Sequence, residues 1–394
     1  MNHTLKMLAA SVVLVSTSAT AANYAIEARG DAMGGVGVVS ANFLTAPFYN
    51  PAIVAIYRRN DDVGMIIPSL GLSYNDKDEM VDNLDTAAEL IGQGASADPN
   101  RLQTTLDNLS GSAAKLELGG VVAFAIPNQF IAANVFGKAY TETFAQPDIY
   151  SGSADADPDV QRATNAELST VNAVSVGVTE LGLSLAKYQT FMGQHIAYGV
   201  TPKLQRIYTY VYASDLKNFD IMDATENGTG DTAFNMDAGF LWFYGPWRAG
   251  ISASNLISRD ITTERIVRTI NATNGETRNI DVSYNYQLKP LYTVGFGLVA
   301  DYATLSVDYD LNEEERYSNF SDNTQMLRVG GEIDLLRQLK LRAGWKRNLA
   351  YSNTDDTVTA GIGISPLNLF QLDIGASYTN KNSMGAYINF LGSY

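Results

Sequence analysis

The residue types that most often carry enzyme chemistry are scarce in this chain. It contains no cysteine, so thiolate catalysis, disulfides and cysteine metal sites are excluded. Only two histidines are present, His3 and His195, which is too few for a zinc site built on several imidazoles. A phospholipase-type hydrolase would need a serine paired with His195, which falls beside a predicted turn. We therefore expect no catalytic site, no metal site and no cofactor.

A glycine-rich stretch, 28–55, reads ARGDAMGGVGVVSANFLTAPFYNPAIVA and could be mistaken for a phosphate-binding loop. No strand precedes its glycines and no Gly-Lys-Ser/Thr follows them, so the nucleotide interpretation is weak. Glycine tolerates positive φ and close backbone approach, which suits Gly34 and Gly35 to a chain bent in a narrow space. Pro51 has a fixed φ and holds Asn50 extended. The stretch has neither the period of a strand nor the caps of a long helix.

Two acidic runs could also suggest chemistry. Glu313, Glu314 and Glu315 are consecutive, and DADPD at 155–159 places three carboxylates within five residues. The first run predicts a solvated loop patch. The second predicts the same, or else a weak site for a divalent cation.

Composition and charge limit the class of protein. The net charge of −15 argues against a nucleic-acid partner, because binding a phosphate backbone needs a basic surface. Residues 1–22 have a basic start, a short apolar run and a small-residue cleavage site, which predicts a secretory signal peptide. Tyrosine (22), phenylalanine (15) and glycine (33) are frequent, and mean hydropathy is −0.07. These values are compatible with a soluble protein but are also typical of a transmembrane barrel, in which lipid-facing and water-facing residues alternate.

Strict alternation of apolar and polar residues dominates the chain after residue 110. In 339–346, Leu339, Leu341, Ala343 and Trp345 share one face, opposite Lys340, Arg342 and Lys346. About fourteen such strands are predicted, an even number within the range of bacterial outer-membrane barrels. Their starts fall near Val63, Lys115, Gln129, Thr170, Gly193, Asp231, Trp247, Ser283, Tyr302, Thr324, Gln338, Thr357, Leu369 and Met384.

The connections alternate between short and long. Short turns are predicted near residues 127, 190, 245, 301, 336 and 366, and long polar loops at 76–110, 146–165, 214–230, 258–281, 312–323 and 347–356. Transmembrane barrels have short periplasmic turns and longer outer loops, whereas a soluble sandwich has no reason to separate loop lengths in this way.

The first long loop has helical rather than strand period. Met80, Leu84 and Ile91 recur at helix spacing, and Asp98-Pro99 has the form of an N-cap followed by proline at the first helical position. We therefore predict a helical insert at 76–110. The last strand ends on Tyr394, and such aromatic-ended strands resemble those that the barrel-assembly machinery recognises in outer-membrane proteins.

The chain resembles the long-chain fatty-acid transporter (FadL-like) superfamily. Within that superfamily, the sequence motif ARGDAMGGVGV…YNPA most resembles the TraF-like conjugal-transfer outer-membrane proteins. The specific motif is confined to 29–52. The resemblance implies that Asn50-Pro51-Ala52 belongs to an N-terminal plug inside the barrel, whose displacement opens a path for hydrophobic substrates. On this basis Arg29, Gly34, Gly35, Asn50 and Pro51 are the candidate plug or gating residues. The alternative is an ordinary periplasmic extension with a turn at Asn50-Pro51.

The polar strand faces would point into the lumen of a barrel. They could line a selectivity path, or they could pair with one another and hold the plug to the wall, which their mixed charges favour. The candidate lumen-lining residues are Arg248, Arg328, Glu332, Lys340, Arg342 and Asp373.

These observations predict an all-β transmembrane antiparallel barrel with three parts: a signal peptide (1–22), an N-terminal plug (23–62) and the barrel (63–394). We expect a plug-gated channel for hydrophobic or amphipathic small molecules. The alternative is a non-transporting outer-membrane component with a role in surface attachment or conjugal transfer. The expected location is the outer membrane of a Gram-negative bacterium, with both termini periplasmic. The expected partners are outer-membrane lipid, lipopolysaccharide, the assembly machinery through Tyr394 and a hydrophobic ligand.

Overall fold

The computed structural model describes residues 27–57, 63–76, 78–219, 228–318, 320, 322–352, 354–366 and 370–393. The predicted signal peptide, the first residues of the predicted plug and Tyr394 lie outside these ranges. The predictions that concern them stay predictions.

Fourteen strands form a closed barrel in which every neighbouring pair is antiparallel, which confirms the predicted fold class. The ring closes because the first strand pairs with the last as well as with the second. The barrel strands are β1 (Gly64–Asn75), β2 (Ala114–Ile126), β3 (Ala132–Asp148), β4 (Thr170–Phe191), β5 (Gln194–Asp215), β6 (Gly228–Tyr244), β7 (Trp247–Ser254), β12 (Leu291–Val299), β13 (Ala303–Asp310), β14 (Met326–Leu335), β15 (Leu339–Asn348), β16 (Thr357–Ile364), β17 (Phe370–Asn380) and β18 (Ser383–Ser393). Four further strands lie in the loop between β7 and β12.

Side-chain alternation gives the barrel an apolar outer surface and an inner surface that carries most of its charged side chains. Closure satisfies the backbone groups of every strand within the sheet, which is the condition for a β-structure to cross a bilayer. Large apolar side chains are exposed on the outside along the whole ring, among them Leu70, Phe124, Leu181, Leu204, Phe240, Phe296, Leu305, Ile333, Leu341, Ile362, Ile374 and Phe390.

The two rims of the barrel differ in their connections. One rim, called here the turn rim, carries the short links, such as Met192-Gly193 and Gly245-Pro246, together with the start of β1 and the end of β18. The other, the loop rim, carries the long connections, including 255–290 and 311–325. The loop rim also carries a two-residue link, Lys381-Asn382, which departs from the predicted alternation of loop lengths.

Helices lie before the barrel and in two of the long loops. A single helical turn, α1 (Ala28–Asp31), precedes β1. The first loop contains α2 (Met80–Gln93) and α3 (Pro99–Leu109), so the predicted helical insert is confirmed. Asp98 caps α3 by accepting a hydrogen bond from the Asn100 amide at 2.9 Å.

The next long loop contains α4 (Pro158–Leu168), which is capped by Asp157. One carboxylate of the DADPD run therefore serves as an N-cap. No helix among the described residues is long and apolar enough to cross a membrane.

One predicted strand start is wrong. The barrel strand expected from Ser283 begins at Leu291. The loop before it folds into two small antiparallel pairs, β8 (Arg259–Thr262) with β11 (Asn285–Leu288) and β9 (Ile266–Asn271) with β10 (Thr277–Val282). Residues 283–288 alternate like a barrel strand, so periodicity alone cannot distinguish a strand that crosses the membrane from one that packs above it.

Candidate functional site: the lumen and the segment that fills it

Residues 27–57, the lumen segment, lie inside the barrel. The segment is almost entirely buried and irregular, with the helical turn α1 and two 3₁₀ turns, Ala46–Phe48 and Pro51–Ala55. Its hydrogen bonds reach strands on every side of the ring, namely β3, β6, β7, β13, β14, β16 and β18. Only a chain within the lumen can contact all of these strands. Irregular backbone at this depth is tolerated because it is buried in protein.

Ion pairs hold the first part of the segment to one wall. The Arg29 guanidinium makes two hydrogen bonds of 3.1 Å to the Glu332 carboxylate on β14 and donates a third, of 2.8 Å, to the Ser40 carbonyl. Arg342 on β15 donates to the same Glu332 at 2.6 Å and to Asp373 on β17 at 2.6 Å. Bidentate arginine–carboxylate geometry of this kind is among the stronger buried contacts. Four of the predicted site residues thus form a single network.

Backbone groups of the segment are bound by polar side chains of the wall. Asp308 on β13 accepts hydrogen bonds from the amides of Gly37 (2.7 Å) and Val38 (2.9 Å). The Thr359 hydroxyl on β16 accepts from the Gly34 amide at 2.8 Å and donates to the Ala32 carbonyl at 2.9 Å. Gly34 and Gly35 have φ of +75° and +83°, a region that side chains disfavour. The bend that places the Gly34 amide at this wall therefore requires glycine.

Asn50 and Pro51 form a second bend. The Asn50 side chain accepts from the Ala52 amide at 3.0 Å and so caps the Pro51–Ala55 turn. Its amide group donates to the carbonyls of Val38 at 2.9 Å and Phe240 at 3.2 Å. One side chain thus ties the two parts of the segment together and both to β6.

Glycines of the wall make room for the backbone of the segment. A Cβ at Gly330 would lie 1.9 Å from the Met33 carbonyl oxygen, and one at Gly344 would lie 2.2 Å from the Gly34 nitrogen. On the opposite wall, a Cβ at Gly239 would lie 1.9 Å from Asn50 Oδ1. These positions were not predicted from the sequence. The signal in the sequence is a glycine at an inward-facing position of a strand, because such a glycine often allows another backbone to approach closely.

The second part of the segment packs through apolar side chains. Phe43 and Leu44 lie in a cluster with Ile66, Val121 and Phe136 of β1, β2 and β3. Ile53 and Val54 lie in another cluster with small or apolar wall residues, Ala132, Ala186, Ala197 and Leu241. Phe48 meets Phe136 edge to face, with ring centroids 5.3 Å apart.

A cavity of about 70 Å³ lies beside this apolar part. Phe48, Tyr49 and Phe136 line it. A polar belt, formed by Lys138, Glu180, Lys203 and Asp237, also lines it. Within the belt Lys203 lies 2.9 Å from Asp237 and 3.8 Å from Glu180. The space is well below the 300–1,000 Å³ of ordinary ligand pockets, so this cavity is too small for an ordinary ligand in this state.

The remaining predicted lumen residues occupy separate places. Arg248 on β7 donates to the Val39 carbonyl at 3.2 Å. Arg328 pairs with Asp310 on the neighbouring β13 through bonds of 2.8 and 3.0 Å and does not join the Arg29 network. Lys340 donates to Gln371 near the turn rim. The predicted solvated patch at 313–315 is wrong for Glu314, which is buried and bonded to Arg316 at 2.8 Å.

Known structures share this architecture. The Ralstonia pickettii toluene transporter TbuX is 11% identical, with 94% of this chain and 99% of that one covered and a TM-score of 0.58. A Pseudomonas aeruginosa FadL homologue is 12% identical, with coverage of 96% and 99% and a TM-score of 0.53. The P. putida toluene transporter TodX is 11% identical, with coverage of 95% and 99% and a TM-score of 0.50. At these identities the likeness establishes the fold, which is that of the FadL-like barrels.

Sequence comparison supplies the family. No curated protein matches the chain significantly. A family model described as "F plasmid transfer operon, TraF, protein" matches residues 47–310, well over half of the 394 residues. The expectation of a non-enzymatic membrane barrel agrees with this match and with the fold. The chain therefore belongs to the TraF family of the F plasmid transfer operon, built on the FadL-like barrel fold.

Proposed function

We propose that this protein is a channel for small hydrophobic or amphipathic molecules, and that its lumen segment is the plug that gates it. The observation that supports this proposal is the uneven attachment of the segment. Residues 27–40 are held by buried ion pairs and hydrogen bonds, whereas residues 43–55 are held mainly by apolar contacts beside a cavity. Apolar contacts can be exchanged for contacts with an apolar solute, so the second part can move while the first stays bound.

The wall beside the movable part has residues that suit a hydrophobic or amphipathic solute. Phe136, Tyr140 and Phe144 face inward along β3, and Val174, Val176 and Val178 face inward along β4. The polar belt interrupts this apolar surface at mid-height. A solute with an apolar body and a polar group would match both parts of the wall.

The proposed location is the outer membrane of a Gram-negative bacterium, with the turn rim and both termini on the periplasmic side. Short turns at one rim and long loops at the other are typical of outer-membrane barrels, whose short turns are periplasmic. Transporters of this fold, such as TbuX and TodX, are named for toluene. Monoaromatic hydrocarbons and fatty acids are therefore the first substrates to test.

Uptake into liposomes tests the proposal. Purified protein is reconstituted in its full form and with 28–55 deleted, and entry of a fluorescent fatty acid and of toluene is followed. We expect uptake by the full protein and faster, less selective uptake by the deletion. Heat-modifiable migration on a gel checks that both forms are folded. Absence of uptake in both folded forms would refute transport.

A second candidate is a non-transporting role in surface attachment or conjugal transfer. The small size of the cavity, the helical loop rim and the description of the family favour it. Removal of the helical insert, 78–112, would then lower conjugation frequency or cell attachment while leaving liposome uptake unchanged. In a transport protein, removal of 28–55 would instead change liposome uptake and leave conjugation frequency and cell attachment unchanged.

A further inference from the structure

Two long loops combine into a small sheet over the lumen. In the 255–290 loop, β8 pairs with β11. The 311–325 loop joins this pair through one antiparallel β-bridge, in which the Gln287 amide donates to the Arg316 carbonyl at 2.6 Å and the Ser318 amide donates to the Asn285 carbonyl at 3.2 Å. A pair of hydrogen bonds between Glu314 and Thr324 closes the base of that loop. We name β8, β11 and residues 314–318 the outer lid.

The lid reaches across the full width of the barrel. Its residues 314–318 lie in the loop between β13 and β14, yet Arg316 contacts β3. In the ring of fourteen strands β14 and β3 are seven positions apart in either direction, so they face each other across the lumen. A loop rooted on one side and bound on the other must cover the opening between them.

An arginine fixes the far side of the lid. Arg316 has one of the largest fully buried side chains among the described residues. It donates to Glu142 on β3 at 2.6 Å and to Glu314 of the lid at 2.8 Å. Glu142 also pairs with Lys115 of β2, which in turn pairs with Glu117. Burial of a guanidinium is costly unless it is paired, so the Arg316–Glu142 pair stabilises the loop in this position.

The underside of the lid is apolar and matches the wall below it. Ile261, Tyr286, Leu288 and Tyr317 are buried against Tyr140, Phe144, Val176 and Ile207. Tyr317 meets Phe144 edge to face with centroids 6.3 Å apart, and Tyr286 packs on Tyr317 at 5.4 Å. This seal lies on the loop-rim side of the polar belt, whereas the lumen segment lies on the turn-rim side.

We propose that the outer lid is a second gate, in series with the lumen segment, and that Arg316 is its latch. A solute entering from the loop rim must first part the aromatic seal, and this requires the Arg316–Glu142 pair to break. The polar belt would then line a chamber that the lid closes at one end and the lumen segment at the other. The inference deepens the proposed channel function, but it concerns an opening motion that can be measured without any transport.

Thiol accessibility tests the latch, because the chain has no cysteine of its own. Val176 is completely buried on the inner face of β4 beneath the lid, so Val176→Cys introduces a thiol that reports on lid opening. Purified full-length protein in detergent micelles is treated with a bulky, charged thiol reagent. Val267→Cys, at a position 68% exposed on β9, gives the rate for an open site. Labelling of the thiol at position 176 is compared in the parent, with Arg316→Ala and with Glu142→Gln.

A matched control breaks an ion pair that lies outside the lumen. Arg265 pairs with Asp281 on the exposed face of the 255–290 loop, and Arg265→Ala removes it. We expect at least about tenfold faster labelling at position 176 with Arg316→Ala or Glu142→Gln, and no change with Arg265→Ala. Each variant is first checked for heat-modifiable migration. If either latch variant fails to fold, the other removes the charge of the opposite member of the same pair.

Three outcomes would overturn the proposal. These are slow labelling in both folded latch variants, fast labelling already in the parent, and equal acceleration by Arg265→Ala. Ion conductance in planar bilayers tests the series arrangement, since Arg316→Ala combined with deletion of 28–55 should conduct far more than either change alone. A deletion that conducts as well as the combination would also refute the second gate. If the expected labelling and conductance are observed but liposome uptake is absent, the gate proposal is supported and the transport proposal is refuted.

Discussion

The two sides of the lumen hold the same segment by different chemistry. On the β13–β18 side, residues 27–40 are bound by carboxylates, guanidinium groups and hydroxyls, with Glu332 shared between Arg29 and Arg342. On the β1–β6 side, residues 43–55 pack mainly through apolar side chains, with Asn134 donating to the carbonyls of Phe43 and Leu44.

The difference indicates which part of the segment can move. Separating a buried ion pair leaves an uncompensated charge, which typically costs several kcal/mol. Apolar contacts are non-directional and can be replaced by those of a solute. The β13–β18 side is therefore the anchor, and an opening is expected on the β1–β6 side. Three predictions test this contrast and a fourth concerns the outer lid, in order from the largest expected effect to the smallest.

Removal of the Arg29 side chain should have the largest effect. Arg29→Ala leaves the Ser40 carbonyl without its partner and Glu332 with Arg342 alone, so we expect a loss of about 3 kcal/mol in docking of the segment. Hydrogen exchange of residues 27–40, read by mass spectrometry, measures this loss. Arg248→Ala, which removes one hydrogen bond of 3.2 Å to Val39, should cost only about 1 kcal/mol. Equal effects of the two changes would contradict the anchor.

A single methyl group on the anchor wall should loosen the segment. Gly344→Ala places a Cβ 2.2 Å from the Gly34 nitrogen, and such overpacking costs about 1–3 kcal/mol. Gly177→Ala is the matched control, because the nearest atom to its Cβ would be 4.0 Å away. Exchange of residues 27–40 should accelerate only in the first variant. Unchanged exchange in both would mean that the close approach contributes nothing.

Truncation of Phe48 should act on the opposite side. Phe48→Ala removes the edge-to-face contact with Phe136 and enlarges the cavity, at a cost of about 1–2 kcal/mol for a half-buried ring. We expect faster liposome uptake and faster exchange at residues 43–55, with residues 27–40 unaffected. Equal acceleration in both parts would mean that the segment moves as one body.

The smallest effect is a pH dependence of the outer lid. Burial raises the pKa of Asp322 to about 6, with Arg316 opposing the shift and Glu142 adding to it. The folded lid therefore favours protonated Asp322, so its stabilisation is complete below about pH 4 and is lost as the pH rises through 6. The labelling rate of the thiol at position 176, relative to the one at position 267, should rise several-fold from pH 5 to 7, and Asp322→Asn should abolish the rise. A larger change is not expected, because the lid can open without fully exposing Asp322.

Much of the barrel could be predicted from the sequence because its physics is local along each strand. Alternation places Leu341 outside and Arg342 inside whatever the neighbouring strand contains. The Asp98-Pro99 start of α3 is equally local, since a cap bonds to amides only two or three residues away. The failure at Ser283 has the same origin, because β11 alternates like a barrel strand but pairs with β8 of its own loop.

The contacts within the lumen could not be predicted in this way. The alternation along each strand identified Arg328, Glu332 and Arg342 as inward-facing. It did not show that Glu332 would bind Arg29, 303 residues away. Glu142 and Arg316, 174 residues apart, were missed altogether, although an arginine that ends an acidic run was a visible signal.

The sequence by itself determined the strands, their inward and outward faces, the two kinds of rim and the bends at Gly34-Gly35 and Asn50-Pro51. Only the tertiary structure decided that one wall binds the segment by charge and the other by apolar contact, and that a loop crosses the opposite mouth. The physical reason is that closing the barrel brings distant strands together around one narrow space. There the cost of leaving a charge or backbone group unpaired selects each partner.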